Sequence, residues 1–105
     1  MLLGRSGFGR FSEPGLLVLL SLAAGEKHGY AMLLDIRETF GVKMGPATLY
    51  QALDRLEGQG LVEPLASEDR RRPYRLTAEG KAELREQLTR MQRLSAAGLE
   101  RLAPS

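Results

Sequence analysis

At 105 residues the chain is most simply one domain, and it is short enough that packing against a second subunit would add to its buried core. It has no cysteine and one histidine, which excludes disulfides and zinc–thiolate sites and argues against a metal site built on imidazoles. The net charge of +2 excludes little, so the position of the charges matters more than their sum. No set of nucleophile, base and oxyanion donors stands out, and we expect no enzyme activity, metal or cofactor.

The N-terminal segment has the order of a secretory signal, with two arginines before an apolar run from Leu16 to Ala24. An acid, a proline and a glycine at positions 13–15 interrupt that order. We therefore predict a flexible arm over residues 1–11 and a helix that begins after a capping Ser12. No stretch has the 18 or so apolar residues needed to span a bilayer, and we expect a cytoplasmic protein without membrane contact.

Three helices are predicted in succession. The first ends at Gly25 and is apolar almost all round, so it should be buried on most sides. The second covers "HGYAMLLDIRETFG", with His28 at its start, Tyr30 in the core and Gly41 as its stop.

The third helix covers "GPATLYQALDRLEGQG", with Pro46 in its first turn. Its leucines repeat at i, i+4 and i+7, which predicts a face that packs on the core. The opposite face carries Ala47, Thr48, Gln51, Asp54 and Arg55. Tyr50 lies at the margin of that face, where it either completes the core or contacts DNA with its hydroxyl.

Two short β-compatible runs, "LVEPL" and "PYRLT", flank the loop "ASEDRRR" and predict a hairpin. Pro64 and Pro73 each remove a backbone donor, which favours edge strands. A last helix opens at Thr77 and carries an apolar stripe. Little chain remains to cover that stripe, so we expect it to form a subunit interface or an effector pocket. Its members are Leu84, Leu88, Met91 and Leu94.

The order of elements predicts a mainly α fold with a small β-hairpin (α+β). We interpret residues 12–77 as a winged helix-turn-helix and residues 78–105 as a C-terminal dimerisation helix and tail. In such a fold the third helix enters the major groove of double-stranded DNA and the hairpin holds neighbouring phosphates. The predicted DNA-binding residues are Lys43, Pro46, Ala47, Thr48, Tyr50, Gln51, Arg70, Arg71 and Arg72.

Two other classes remain open from the residues alone. One is a winged-helix module that binds proteins and not DNA, for which acids on the exposed face of the third helix would argue. Asp54 and Glu57 are acidic, but they lie beyond its N-terminal half. The other is an enzyme or a secreted factor whose first 25 residues are removed.

The stretch "HGYAMLLDIRETFGVKMGPATLYQALDRLEGQGLVEP", followed by "RRPYRLTAEGKAEL", resembles the PadR family of bacterial transcriptional regulators. The resemblance covers about residues 14 to 95. It implies a homodimeric repressor that binds an inverted-repeat operator, dimerises through its last helix and, in some members, releases DNA on binding a small-molecule effector. Ala47 replaces a glycine common in relatives, and the chain has no tryptophan to sandwich an aromatic drug.

Overall fold

The computed structural model describes residues 12–68 and 70–104, and it has four helices and one hairpin in the predicted order. The predicted arm at residues 1–11 lies outside the described residues. The elements are α1 (Glu13–Ala23), α2 (Gly29–Phe40), α3 (Pro46–Gly58), β1 (Val62–Pro64), β2 (Tyr74–Leu76) and α4 (Ala78–Leu102). The predicted fold class is confirmed.

Helix α1 is the centre of the core. The Ser12 hydroxyl accepts a hydrogen bond from the Gly15 N–H at 3.2 Å, which caps the helix as predicted. Seven of its eleven residues are buried, and it contacts α2, α3, β2 and α4. A helix this apolar must be surrounded, and the other elements supply its cover.

Helices α2 and α3 pack on α1 through one face each. In α2 the buried side chains are Met32 and Ile36, one turn apart, and Gly41 ends the helix at φ 70°. In α3 the predicted leucines are all buried, and Ala52 joins them. The turn between the two helices leaves Lys43 exposed and Val42 and Met44 half-buried.

The hairpin is antiparallel, with Glu63 opposite Arg75 and Pro64 opposite Tyr74. Both strands lie at an edge of this two-stranded sheet, as predicted. Lys27, in the turn before α2, pairs with Tyr74 on the far side of β2 through two backbone hydrogen bonds of 3.1 and 3.2 Å. Hydrogen-bonded and non-hydrogen-bonded pairs alternate along an antiparallel ladder, and Pro64 and Tyr74 form a pair without hydrogen bonds. The backbone nitrogen of Pro64 therefore points away from β2, and the missing N–H costs the ladder no bond.

Helix α4 begins at Thr77, whose hydroxyl accepts from the Gly80 N–H at 2.9 Å. Glycine is required at position 80 because the helix passes directly over the backbone of Leu61. A Cβ atom at Gly80 would lie 2.0 Å from the Leu61 carbonyl oxygen. This contact explains why the glutamate of a capping box is absent from this position.

A network of polar side chains joins α1 to α2. The buried Ser21 hydroxyl donates to one carboxylate oxygen of Asp35 at 2.6 Å, and the Thr39 hydroxyl donates to the other at 2.9 Å. The Lys27 ammonium lies 3.9 Å from the same carboxylate. The Ser21 hydrogen bond, supported by Thr39 and Lys27 against the opposing effect of burial, lowers the pKa of Asp35.

Replacing Gly80 by alanine should destabilise the fold by about 1–3 kcal/mol, because the new methyl group collides with the Leu61 backbone. Gly58 at the end of α3 is the matched control, since nothing lies within 4 Å of a Cβ there. Gly58→Ala should gain about 0.5–1 kcal/mol from helix propensity. Urea unfolding of both variants measures the difference; equal effects would contradict the close contact.

Candidate nucleic-acid interface

The outward face of α3 is polar and close to the turn that precedes it. The first turn of α3 follows the N-cap residue Gly45, which has no side chain to accept a capping hydrogen bond. A groove-reading helix needs such a face, because small and polar side chains permit close approach to base edges. The exposed residues of this region include the predicted Lys43, Pro46, Ala47, Thr48 and Gln51.

Arg55 lies one turn beyond Gln51 on the same exposed face. The sequence predicted Arg55 on that face but not among the DNA contacts, because it lies beyond the N-terminal half of the helix. Arginine is the side chain that most often reads guanine, so its position makes it a further candidate for base contact.

Tyr50 packs across the start of α2. A Cβ atom at Gly29 would lie 2.3 Å from the Tyr50 hydroxyl oxygen and 2.8 Å from the ring carbon that carries it. Glycine at position 29 therefore leaves the space in which the ring rests. The side chain is nevertheless 47% exposed, so it both packs on backbone and presents a surface to solvent.

Tyr30 was expected in the core, and that expectation was wrong, because the side chain is 62% exposed. The reason is the phase of α2. Met32 and Ile36 fix the buried side of the helix, and Tyr30 precedes Met32 by two residues, which is about 200° around the axis. His28 does cap the helix, as its ring Nδ1 accepts from the Ala31 N–H at 3.3 Å.

An open cleft of about 400 Å³ lies between the start of α2, α3 and the hairpin loop. It unites the predicted Tyr50 and the three arginines with four residues that were not predicted as contacts. The lining residues are His28, Gly29, Tyr30, Tyr50, Arg70, Arg71, Arg72 and Tyr74. Lys43 and Thr48 lie elsewhere, in a smaller cleft against the start of α1.

The charges around this cleft are mainly cationic. Arg70, Arg71 and Arg72 are all exposed. Arg75 on β2 pairs with Glu63 at 2.8 Å. That hydrogen bond to Glu63 raises the pKa of Arg75. Burial raises the pKa of Tyr74, with a further contribution from Glu57. The cleft thus offers tyrosine and arginine donors, which is chemistry suited to phosphate oxygens.

The apolar stripe on α4 becomes more exposed toward the end of the helix. Leu84 is buried in the chain's own core, and Met91 is half-buried against it. Leu88 lines a groove of about 360 Å³ together with Ala23 and residues of β2 and α4. Leu94 is 65% exposed, and Leu99 and Leu102 beyond it are more exposed still.

Within residues 12–68 and 70–104, no cluster of three or more His, Asp or Glu side chains has the arrangement of a metal site. None of the helices in this part of the chain is both long enough and apolar enough to cross a bilayer.

The fold and this surface define a winged-helix protein with a cationic hairpin beside an exposed helix. Residues 17–86 match the transcriptional regulator PadR-like family, and the chain belongs to that family. Members of this family are DNA-binding transcriptional regulators and not enzymes. The resemblance read from the sequence is confirmed.

Solved structures agree with this assignment. A PadR family transcriptional regulator from Eggerthella lenta is 30% identical, with a TM-score of 0.73 over 87% of this chain and 85% of that one. A transcriptional regulator from Clostridium thermocellum is 26% identical, also with a TM-score of 0.73, over 87% of this chain and 90% of that one.

A longer relative carries a similar segment. An uncharacterised 37.1 kDa protein of a Streptomyces fradiae transposon is 41% identical over 95 residues. The match covers 90% of this chain but 28% of that protein.

Gly29→Ala should displace the Tyr50 ring at a modest cost in the free energy of unfolding. The main clash is with the end of the Tyr50 side chain, which is half in solvent and can swing outward. The new methyl group would also lie 3.3 Å from the buried Leu49 side chain, so we expect a loss of about 1 kcal/mol and a large change in the Tyr50 ring chemical shifts. A loss of several kcal/mol would show instead that α2 itself is pushed away.

Proposed function

We propose that this protein is a repressor that binds an inverted-repeat operator as a homodimer in the bacterial cytoplasm. The observation that carries the proposal is the exposed polar face of α3 beside the arginines at the hairpin tip. In this proposal residues 1–11 are an arm, residues 12–77 bind DNA, and residues 78–105 form the dimerisation helix and tail.

Helix α3 would read the major groove with the side chains of its exposed face. Gln51 suits the N6 and N7 positions of adenine, and Arg55 suits the O6 and N7 positions of guanine. Ala47 and Thr48 are small enough to let the backbone approach, and Thr48 adds a hydroxyl. Lys43, Pro46 and Tyr50 flank this face, where the phosphates of the groove edge would lie.

The hairpin would supply the second hold on the duplex. Arg70, Arg71 and Arg72 extend the cationic surface from the cleft beside Tyr50 into solvent. Contacts of this kind bind the phosphate backbone whatever the base sequence, and each adds to the salt dependence of binding. Sequence preference would therefore come from α3, and much of the affinity from the hairpin.

The exposed end of α4 supports the dimer. Leu94, Leu99 and Leu102 leave apolar surface in solvent, and burying each would contribute about 1.5–3 kcal/mol. Leu84 is already used within the chain, so the interface would begin at Leu88. The groove beside Leu88 has the size of a small-molecule pocket and is the place in which an effector would bind.

Titration of the purified protein against a duplex of its own upstream promoter, and against a shuffled duplex, tests the function. At two salt concentrations, a specific repressor should prefer the promoter by roughly a thousandfold, with affinity that falls steeply in salt. Equal binding to both duplexes would remove self-regulation from the proposal, and addition of the protein to a promoter-driven transcription assay would distinguish repression from activation.

Substituting Arg70, Arg71 and Arg72 together by alanine should weaken binding to the promoter and to the shuffled duplex by the same factor. If each arginine contacts one phosphate, the slope of log K against log salt should fall by about 2.7. Arg101→Ala is the control, because it removes one charge at the far end of α4, about 35 Å along the helix from Ala78. An unchanged slope in the triple variant would take the hairpin out of the mechanism.

Leu94→Glu should convert the dimer to a monomer that binds a half-site weakly, since a charge would be buried at the interface. The side chain is mostly exposed in the single chain, so folding should survive. Ala96→Glu, about 200° away around α4, is the matched control. Light scattering reads out the mass; a dimer that persists in Leu94→Glu would place the interface elsewhere.

A further inference from the structure

We infer that Lys27 is a positioning residue for DNA binding, because its side-chain anchor on α1 and α2 fixes the backbone bridge that orients the arginine-bearing hairpin. The inference rests on the proposed role of Arg70, Arg71 and Arg72 as phosphate contacts. It concerns a residue in the short turn between α1 and α2, away from the predicted contacts.

The bridge itself joins two main chains. The Lys27 N–H donates to the Tyr74 carbonyl at 3.2 Å, and the Tyr74 N–H donates to the Lys27 carbonyl at 3.1 Å. Tyr74 is two residues from Arg72 and lines the same cleft. The position of Lys27 therefore sets where β2 leaves the body of the protein and where the arginines begin.

The side chain of Lys27 holds this backbone in place. Its ammonium donates to the carbonyl of Ser21 at 2.5 Å and to that of Gly25 at 3.3 Å. It also lies 3.9 Å from the Asp35 carboxylate. With 19% of the side chain exposed, Lys27 is unusually buried for a lysine, which is tolerated because it is paired. One side chain thus fastens the end of α1, the turn and α2 together.

Asp35 is itself rigidly held. It accepts from Ser21 and Thr39, and Ser21 is completely buried in α1. A carboxylate fixed by two hydroxyl donors gives the ammonium a defined partner and restricts the positions that the Lys27 stem can take. Through the contacts of Lys27, the relative position of α1 and α2 therefore determines the position of the hairpin.

Other contacts hold the base of the hairpin. Val62 and Leu76 are buried in the core, and the Thr77 N–H donates to the Leu61 carbonyl at 3.1 Å. Nearer the tip, the Leu65 N–H donates to the Pro73 carbonyl, but that bond joins the two arms of the hairpin to each other. On the tip side of Leu76, the Tyr74 side chain packs on the core and Lys27 adds two backbone hydrogen bonds to another element. Weakening the Lys27 bonds should therefore loosen the arginines while the base stays packed.

The test is a double-mutant cycle in the full chain. Lys27→Met keeps the aliphatic stem and removes the donors, and it is combined with the triple substitution of Arg70, Arg71 and Arg72 by alanine. In the natural background we expect Lys27→Met to lower DNA affinity by about tenfold, because the arginines lose their orientation. In the triple-alanine background it should have almost no effect.

Glu63→Gln is the matched control, since it removes the negative charge that pairs with Arg75 on the same hairpin but leaves Lys27 untouched. It should not show the coupling to the arginines. Lys27→Arg, which keeps the charge and the donors, should restore most of the affinity. An equal loss from Lys27→Met in both backgrounds would overturn the inference, because the residue would then act through its charge or through overall stability.

A measurement without DNA separates this inference from the proposed function. Amide hydrogen exchange at Lys27 and Tyr74 should accelerate at least about tenfold in Lys27→Met, while that of buried α3 amides stays unchanged. Unaltered exchange at Tyr74 would overturn the inference whatever the DNA result. If exchange accelerates but the triple-alanine variant still binds DNA normally, the proposed role of the arginines fails and the inference fails with it. Should Lys27→Met not fold, Asp35→Asn weakens the same anchor and takes its place in both measurements.

Discussion

The burial of α1 on nearly every side is the constraint on which the other elements depend. An eleven-residue helix with seven buried residues cannot be satisfied by one neighbour, so α2, α3, β2 and the start of α4 must all converge on it. Each of these elements then has one face packed on the core and one face exposed. The exposed faces of α3 and the hairpin are the surfaces proposed to contact DNA. Their relative placement is set by α1, which packs against both α3 and β2.

Much of this arrangement could be predicted because it follows from periodicity and from residues with fixed geometric preferences. The leucines of α3 repeat on one side of the helix, and Ser12, His28, Thr77 and Gly41 stand at helix ends, so these elements were predictable to within a residue or two. The exposed polar face of α3 followed as the complement of the buried one. These features depend only on neighbours within one element, which a sequence reveals directly.

What could not be predicted depends on contacts between elements. Tyr30 is apolar enough for a core, but only the packed phase of α2 shows that it points outward. The sequence does not show what Gly29 and Gly80 are for, whereas the structure shows that each leaves room for a distant residue, the Tyr50 ring in one case and the Leu61 carbonyl in the other. Lys27 belongs to none of the sequence motifs described above. Its importance lies in a backbone bridge to a strand 47 residues later in the chain, which no local pattern encodes.

The length of α4 has a consequence for how two subunits would share one duplex. Twenty-five helical residues extend about 37 Å, which is close to one turn of B-form DNA. In a dimer paired through this helix, the length of α4 would set the distance between the two DNA-binding units and so the number of base pairs between their half-sites. Each inserted residue would lengthen the helix by about 1.5 Å and rotate everything beyond it by about 100°. In such a dimer the spacing of the two half-sites would therefore depend on helical phase, and insertions that nearly complete whole helical turns would change it with the least rotation.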